Sequence, residues 1–156
     1  VVVLGGTKGI GRAVARRLAA RGDRVHLLGR THDDLARSGA DLQARSATPG
    51  QVTWSLMDLE QPASFPTAIE DAHAALGGFD TVVVTAGLFA TQAALEADRA
   101  FAHRVLTVNF ANTVLFCEHV RAYLLERGGG TLCVFSSVAG DRGRKPVVLY
   151  GASKAG

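Results

Sequence analysis

Cysteine, proline, methionine and tryptophan are all scarce in this chain: 2 Cys, 4 Pro, 1 Met and 1 Trp stand among 156 residues. Two cysteines cannot build a disulfide scaffold, so a hydrophobic core must hold the fold. Both of them, Cys117 and Cys133, sit in apolar stretches, VLFCEHV and TLCVF, where a small buried thiol is expected. His26, His32, His73, His103 and His119 show no ligand spacing, and no metal is expected. Long hydrophobic runs are also missing. Each is broken by Gly, Asn or a charge well before the roughly 20 residues of a membrane helix, and no signal-like segment opens the chain. The expectation is a soluble, cytoplasmic protein without membrane insertion. Charge of one sign is lacking too, because 17 Lys and Arg against 14 Asp and Glu leave only +3. The one short basic cluster is Arg142 to Lys145, and no RNP, KH or finger pattern accompanies it. No nucleic-acid partner is expected.

What is present is glycine, 18 residues of it, within globular proportions of 47% hydrophobic and 20% charged residues. The chain opens on VVVLGG, an apolar run stopped by glycines, followed by Ile10, Val14 and Leu18 at helical spacing with Ala15 and Ala19 beside them. This predicts a buried strand, a glycine turn and a helix ending near Arg21 and Gly22. RVHLLGR predicts a second strand, 33–45 a helix, QVTWSLMDL a third strand, and 68–76 a helix introduced by Pro62 and Pro66. FDTVVVTAG predicts a fourth strand, 95–127 a mostly helical stretch broken near Asp98, and GGGTLCVFSS a fifth strand, with a further helix from about Tyr150. Strands of consecutive apolar residues alternating with helices specify a doubly wound α/β fold around a parallel sheet.

The first turn carries chemistry. Gly5, Gly9 and Gly11 in LGGTKGIG lie between the first strand and the first helix, where backbone amides and a helix N-terminus can approach a pyrophosphate. No GK[ST] follows, which excludes a Walker loop. The second strand ends in Gly29 and Arg30 without the acidic residue that would read two ribose hydroxyls, and Lys8 lies in the glycine turn. Two cations suit a 2′-phosphate, favouring NADP(H), with NAD(H) possible if Asp33 or Asp34 reached a ribose. Asp58, ending the third strand, is placed to meet an adenine amino group, or it is a solvated turn carboxylate.

At the other end of the chain, Ser136 and Ser137 close the fifth strand, and Tyr150 and Lys154 lie four apart on one helix face. A phenol titrates near 10 and needs a stabilised phenolate to act at neutral pH, which a neighbouring ammonium supplies.

Together LGGTKGIG, VTAG at 84–87, VNF at 108–110, SSVAG at 136–140 and YGASK at 150–154 strongly resemble the short-chain dehydrogenase/reductase family. The resemblance covers the whole chain and implies a Rossmann fold. It implies Tyr150 as proton donor and acceptor, Ser137 as the residue that polarises the carbonyl, and Lys154 as the group that lowers the Tyr150 pKa and holds the nicotinamide ribose. Asn109 resembles the family's fourth active-site residue, whose backbone carbonyl and helix distortion hold a water in a proton relay to the lysine; without the family it reads as a local helix cap. By the same motifs, Gly5, Thr7, Lys8, Gly9, Ile10, Gly11, Arg30, Asp58, Leu59, Ala86, Gly87, Tyr150 and Lys154 are the expected cofactor contacts. Leu4, Val84 and Thr85 depart from the family's usual residues at structural positions.

The implied activity is NADP(H)-dependent reduction of a ketone to a secondary alcohol, or the reverse, on a small-molecule substrate. The alternative is an inactive nucleotide-binding sensor or scaffold. The wording from Ser136 to Gly156 is somewhat similar to members that reduce keto sugars on lipid carriers, and 3-oxoacyl thioesters are another family substrate. Family members are usually about 250 residues long, so 1–156 is expected to be one NAD(P)-binding domain forming part of a longer single-domain enzyme. As a fragment it is expected to be poorly stable. A homodimer or homotetramer is expected through the long helix after Ala100, where Val105, Val108 and Leu115 read either as interface or as core.

Overall fold

The computed structural model describes residues 1–46 and 50–156. Five parallel strands, β1 (Val2–Leu4), β2 (Val25–Gly29), β3 (Val52–Leu56), β4 (Thr81–Val84) and β5 (Thr131–Val134), lie in the order β3-β2-β1-β4-β5. Val3 at the centre is in register with Leu27 on one side and Val83 on the other. The strand order reverses at β1, so a crevice opens at the carboxyl ends of β1 and β4, where such sheets bind ligands.

Alternate side chains leave a strand on opposite faces, and the core divides accordingly. Val3, Val25, Leu27 and Val83 pack with Ala15 and Ala19 of α1 (Gly9–Arg21) and with Leu35 and Leu42 of α2 (His32–Gln43). Val2, Leu4, Leu28, Val82 and Val84 face α3 (Phe65–Leu76) and the later helix that carries Phe116, where Phe65 and Phe116 meet edge to face at 5.5 Å. The architecture is the doubly wound α/β fold expected from the sequence. The buried stripe of α1 is Gly11, Ala15 and Ala19, small residues that bring the helix close to the sheet. Ile10, grouped by periodicity with the core, is 65% exposed.

Several boundaries differ for local reasons. α3 starts at Phe65, ahead of the expected 68, because Pro66 in the first turn costs the helix no hydrogen bond while Phe65 is fully buried. The stretch after β4 breaks at Asp98, as expected. Asp98 ends α4 (Gln92–Ala97) and caps α5 (Arg99–Leu106) by accepting from the Phe101 amide at 2.9 Å. Beyond α5 the chain forms a π turn over Thr107–Asn112 and then α6 (Thr113–Glu126). Val105 and Val108 are core, whereas Leu115 is 43% exposed. Directly after Ser137 comes a short helix, α7 (Val138–Asp141), unexpected from sequence, and α8 (Val148–Ala155) follows a 3-10 turn at Lys145–Val147.

The thiols correct the sequence expectation. Cys117 is half-buried and Cys133 exposed, β5 pairing among the described residues with β4 alone. Among the described residues, no helix is long and apolar enough to cross a membrane. Among the same described residues, no group of three His, Cys, Asp or Glu could hold a metal.

Candidate active site

The glycine turn is shaped by close approach. Gly5 adopts φ +89°, and a Cβ there would lie 2.6 Å from the Ala86 amide nitrogen. Only glycine therefore lets the turn after β1 touch the turn after β4. Thr85 seals that contact, with its amide and its hydroxyl both donating to the Leu4 carbonyl, at 2.9 and 3.1 Å. Arg12 Nε holds the Thr7 carbonyl at 2.8 Å from within α1. No side chain caps α1 and its first turn carries no acid, so its leading amides face the crevice without an internal acceptor. That is the setting in which a helix N-terminus accepts a phosphate.

A cleft of about 550 Å³ runs from this turn along the sheet's carboxyl edge. Gly5, Thr7, Lys8, Gly9, Ile10, Gly11, Arg30, Asp58, Leu59, Ala86 and Gly87 all line it. So do Thr31, Asp34, Met57, Glu60, Thr85, Leu88 and Val108, which the sequence did not single out as contacts, apart from the option on Asp34. The size, the uncapped amides and the apolar walls fit a dinucleotide.

The charges at the β2 end are paired. Lys8 Nζ lies 2.8 Å from Asp34 Oδ2, and Arg37 binds the other oxygen of Asp34 at 2.6 Å. These two cations hold the Asp34 carboxyl below the usual range, Lys8 contributing most. Asp33 instead lies exposed beside His32. Arg30 stands 3.8 Å from Glu60, whose carboxylate is gripped by Arg104 and held below its ordinary pKa mainly by that contact. Asp58 accepts from the Glu60 amide at 3.0 Å through one oxygen, the turn role that its alternative reading allowed.

A second recess of about 160 Å³ opens beside the cleft, and Ile10, Thr85, Gly87 and Leu88 line both. Its other walls are Phe89, Asn109, Phe135, Ser136, Tyr150 and Lys154. Lys154 Nζ donates to the Phe135 carbonyl at 2.7 Å, and partial burial pushes the ammonium pKa down. Phe89 meets the Tyr150 ring edge on, with centroids 4.9 Å apart. Asn109, buried in the π turn, accepts from the Leu88 amide at 2.7 Å and donates to the Leu88 carbonyl at 2.8 Å. Its amide also donates to Ser153 Oγ at 3.1 Å, and Ser153 donates to the Tyr150 carbonyl at 2.7 Å. Ser153, absent from the sequence expectation, thus ties the π turn to α8; its only sequence signal is a place three residues after Tyr150.

Ser137 does not line this recess. It faces an adjoining open hollow shared with Ser136 and Lys154, and its Oγ caps α7 by accepting from the Ala139 amide at 3.2 Å. Gly140 and Gly151 let α7 and α8 meet backbone to backbone, since a Cβ on Gly151 would lie 2.6 Å from the Ala139 carbonyl oxygen. Ser136 Oγ donates to the Lys154 carbonyl at 2.6 Å.

The profile of the short chain dehydrogenase family matches residues 1–156. An uncharacterized oxidoreductase of Streptomyces coelicolor is 40% identical over 160 residues, covering 100% of this chain and 61% of that protein. The 2-dehydro-3-deoxy-L-rhamnonate dehydrogenase (NAD(+)) of a Sphingomonas species is 33% identical, covering 99% of this chain and 60% of the relative. Among solved structures, an actinorhodin polyketide ketoreductase with NADPH superposes with a TM-score of 0.88 at 26% identity, covering 99% of this chain and 60% of that one. The chain thus spans about 60% of the length of these proteins. A parallel sheet in the order 3-2-1-4-5, a glycine turn against its central strand and a match along its full length place this chain in the short chain dehydrogenase family, a family of NAD(P)-binding oxidoreductases.

Proposed function

We propose that this chain is the cofactor-binding and reactive part of an NADP(H)-dependent oxidoreductase that interconverts a small ketone and a secondary alcohol. The observation that carries the proposal is the junction of the dinucleotide-sized cleft with the recess walled by Tyr150, Lys154 and Asn109. A nicotinamide cofactor, when bound, supplies or takes up the hydride.

The protein's own groups handle the proton. The Tyr150 phenol donates to the oxygen of the reduced carbonyl, or takes the proton from the alcohol in reverse. The Lys154 ammonium, anchored on the Phe135 carbonyl, holds a ribose hydroxyl. Ser137 donates a hydrogen bond to the substrate oxygen while its lone pair caps α7. Asn109 holds the π turn in place, and its backbone carbonyl keeps a water in line with Lys154. Lys8 and Arg30, which line the cleft, are the cations proposed to meet a 2′-phosphate, so the reading favours NADP(H) over NAD(H). In the same reading the protein is a homodimer or homotetramer that works in the cytoplasm.

The test is Tyr150→Phe in the protein. Fluorescence titration is expected to show that NADPH still binds, while ketone reduction across a panel of aliphatic and cyclic ketones falls by about 10²- to 10⁴-fold. Wild-type protein that binds nucleotide but reduces no ketone, in either direction, would support a nucleotide sensor instead.

A further inference from the structure

Arg104 does not line the cleft, yet it controls the charge at its mouth. Its guanidinium grips Glu60 with two prongs, Nε to Oε2 at 2.8 Å and Nη2 to Oε1 at 2.5 Å. Glu60 does line the cleft, and the same Oε1 stands 3.8 Å from Arg30 Nη1. That separation is too long for a hydrogen bond. The two cleft cations therefore differ in availability. Lys8 is engaged by Asp34 at 2.8 Å, whereas Arg30 makes no hydrogen bond among the described residues.

A forked guanidinium satisfies both oxygens of a carboxylate along one edge, and Arg104 uses this geometry on Glu60. Without Arg104, the nearest cation to Glu60 is Arg30, and a small side-chain rotation closes the remaining gap. A carboxylate on Arg30 would then compete with any phosphate that approaches it.

We infer that Arg104 is a positioning residue for cofactor choice: by occupying Glu60 it keeps Arg30 open to a phosphate on the nucleotide ribose. This rests on the proposed cofactor site and adds to it a residue of α5, 44 positions from its partner in sequence. The preference for NADP(H) over NAD(H) is then set partly from outside the cleft.

Calorimetric titrations of the protein with adenosine 2′,5′-bisphosphate and adenosine 5′-monophosphate isolate the ribose phosphate from hydride chemistry. Arg104→Ala is expected to weaken the bisphosphate by roughly threefold to fivefold at low ionic strength, the size of an exposed ion pair, and to leave the monophosphate unchanged. Glu60→Gln removes the competitor, so the Arg104→Ala/Glu60→Gln double variant recovers the bisphosphate affinity that Arg104→Ala loses. An equal loss for both nucleotides, an unchanged ratio, or a double variant as weak as Arg104→Ala overturns the inference. Wild-type protein with no preference for the bisphosphate overturns the NADP(H) proposal, and this inference with it.

Discussion

His26 shows how one buried side chain fixes an acid limit. It is 1% exposed in β2, with Nδ1 2.8 Å from Thr53 Oγ1 and Nε2 2.9 Å from Ser55 Oγ on β3. Burial lowers its pKa from 6.5 to about 4, against a weaker opposing pull from Asp71. The native state thus refuses a proton that the unfolded chain accepts below 6.5. Stability from this group is full above pH 6.5 and is lost as pH falls toward 4, by up to about 1.4 kcal/mol per pH unit. Urea unfolding between pH 7 and pH 4 should show that slope, and His26→Gln should flatten it. At this scale Tyr150 and Lys154 were legible because four positions on one helix put them on one face. Ser153 and Glu60 were not, since their partners Asn109 and Arg104 each lie 44 residues away. Ser and Glu are ordinary surface residues until the fold supplies such partners.

Among the elements, the π turn at Thr107–Asn112 decides where Asn109 points. Hydrophobic spacing marks the helix on each side but not the wider turn between them, so spacing predicted the helical stretch and its break at Asp98, while the distortion at Asn109 was expected from the family resemblance alone. The residue accommodated in the wider turn rotates the side chains that follow it relative to an α-helix. Asn109→Ala would strip the Leu88 amide and carbonyl of their side-chain partner, at about 1–3 kcal/mol for each group left buried. The expected result is a lower melting temperature with faster hydrogen exchange at the Leu88 amide. Ser153→Ala, which leaves both Leu88 bonds in place, should do neither to the same extent. The crossing of α7 and α8 was equally invisible to spacing. Gly151 reads as part of the helix from Tyr150 and Gly140 as part of the SSVAG motif, and only the packed structure shows the backbone contact between Ala139 and Gly151.

Across the whole molecule, the order of strands and helices was readable because consecutive apolar residues in β1, β2 and β4 announce a sheet covered on both faces. Phe110, Val114 and Leu115 are each more than 40% exposed at the π turn and the start of α6, the stretch that the proposed homodimer or homotetramer would use. Leu115→Glu is therefore expected to shift the protein toward monomer in sedimentation, with its circular dichroism unchanged.

The central position of β1 also has a consequence for synthesis. Val2 pairs with His26 on one side and Val82 on the other, so its second partner is made about 80 residues after it. At roughly 5–20 residues per second, a ribosome needs about 4–16 s to supply it. Throughout that interval the strand destined for the middle of the sheet has an open edge, and the nascent chain must wait, shielded only by its first helices, before its centre can close.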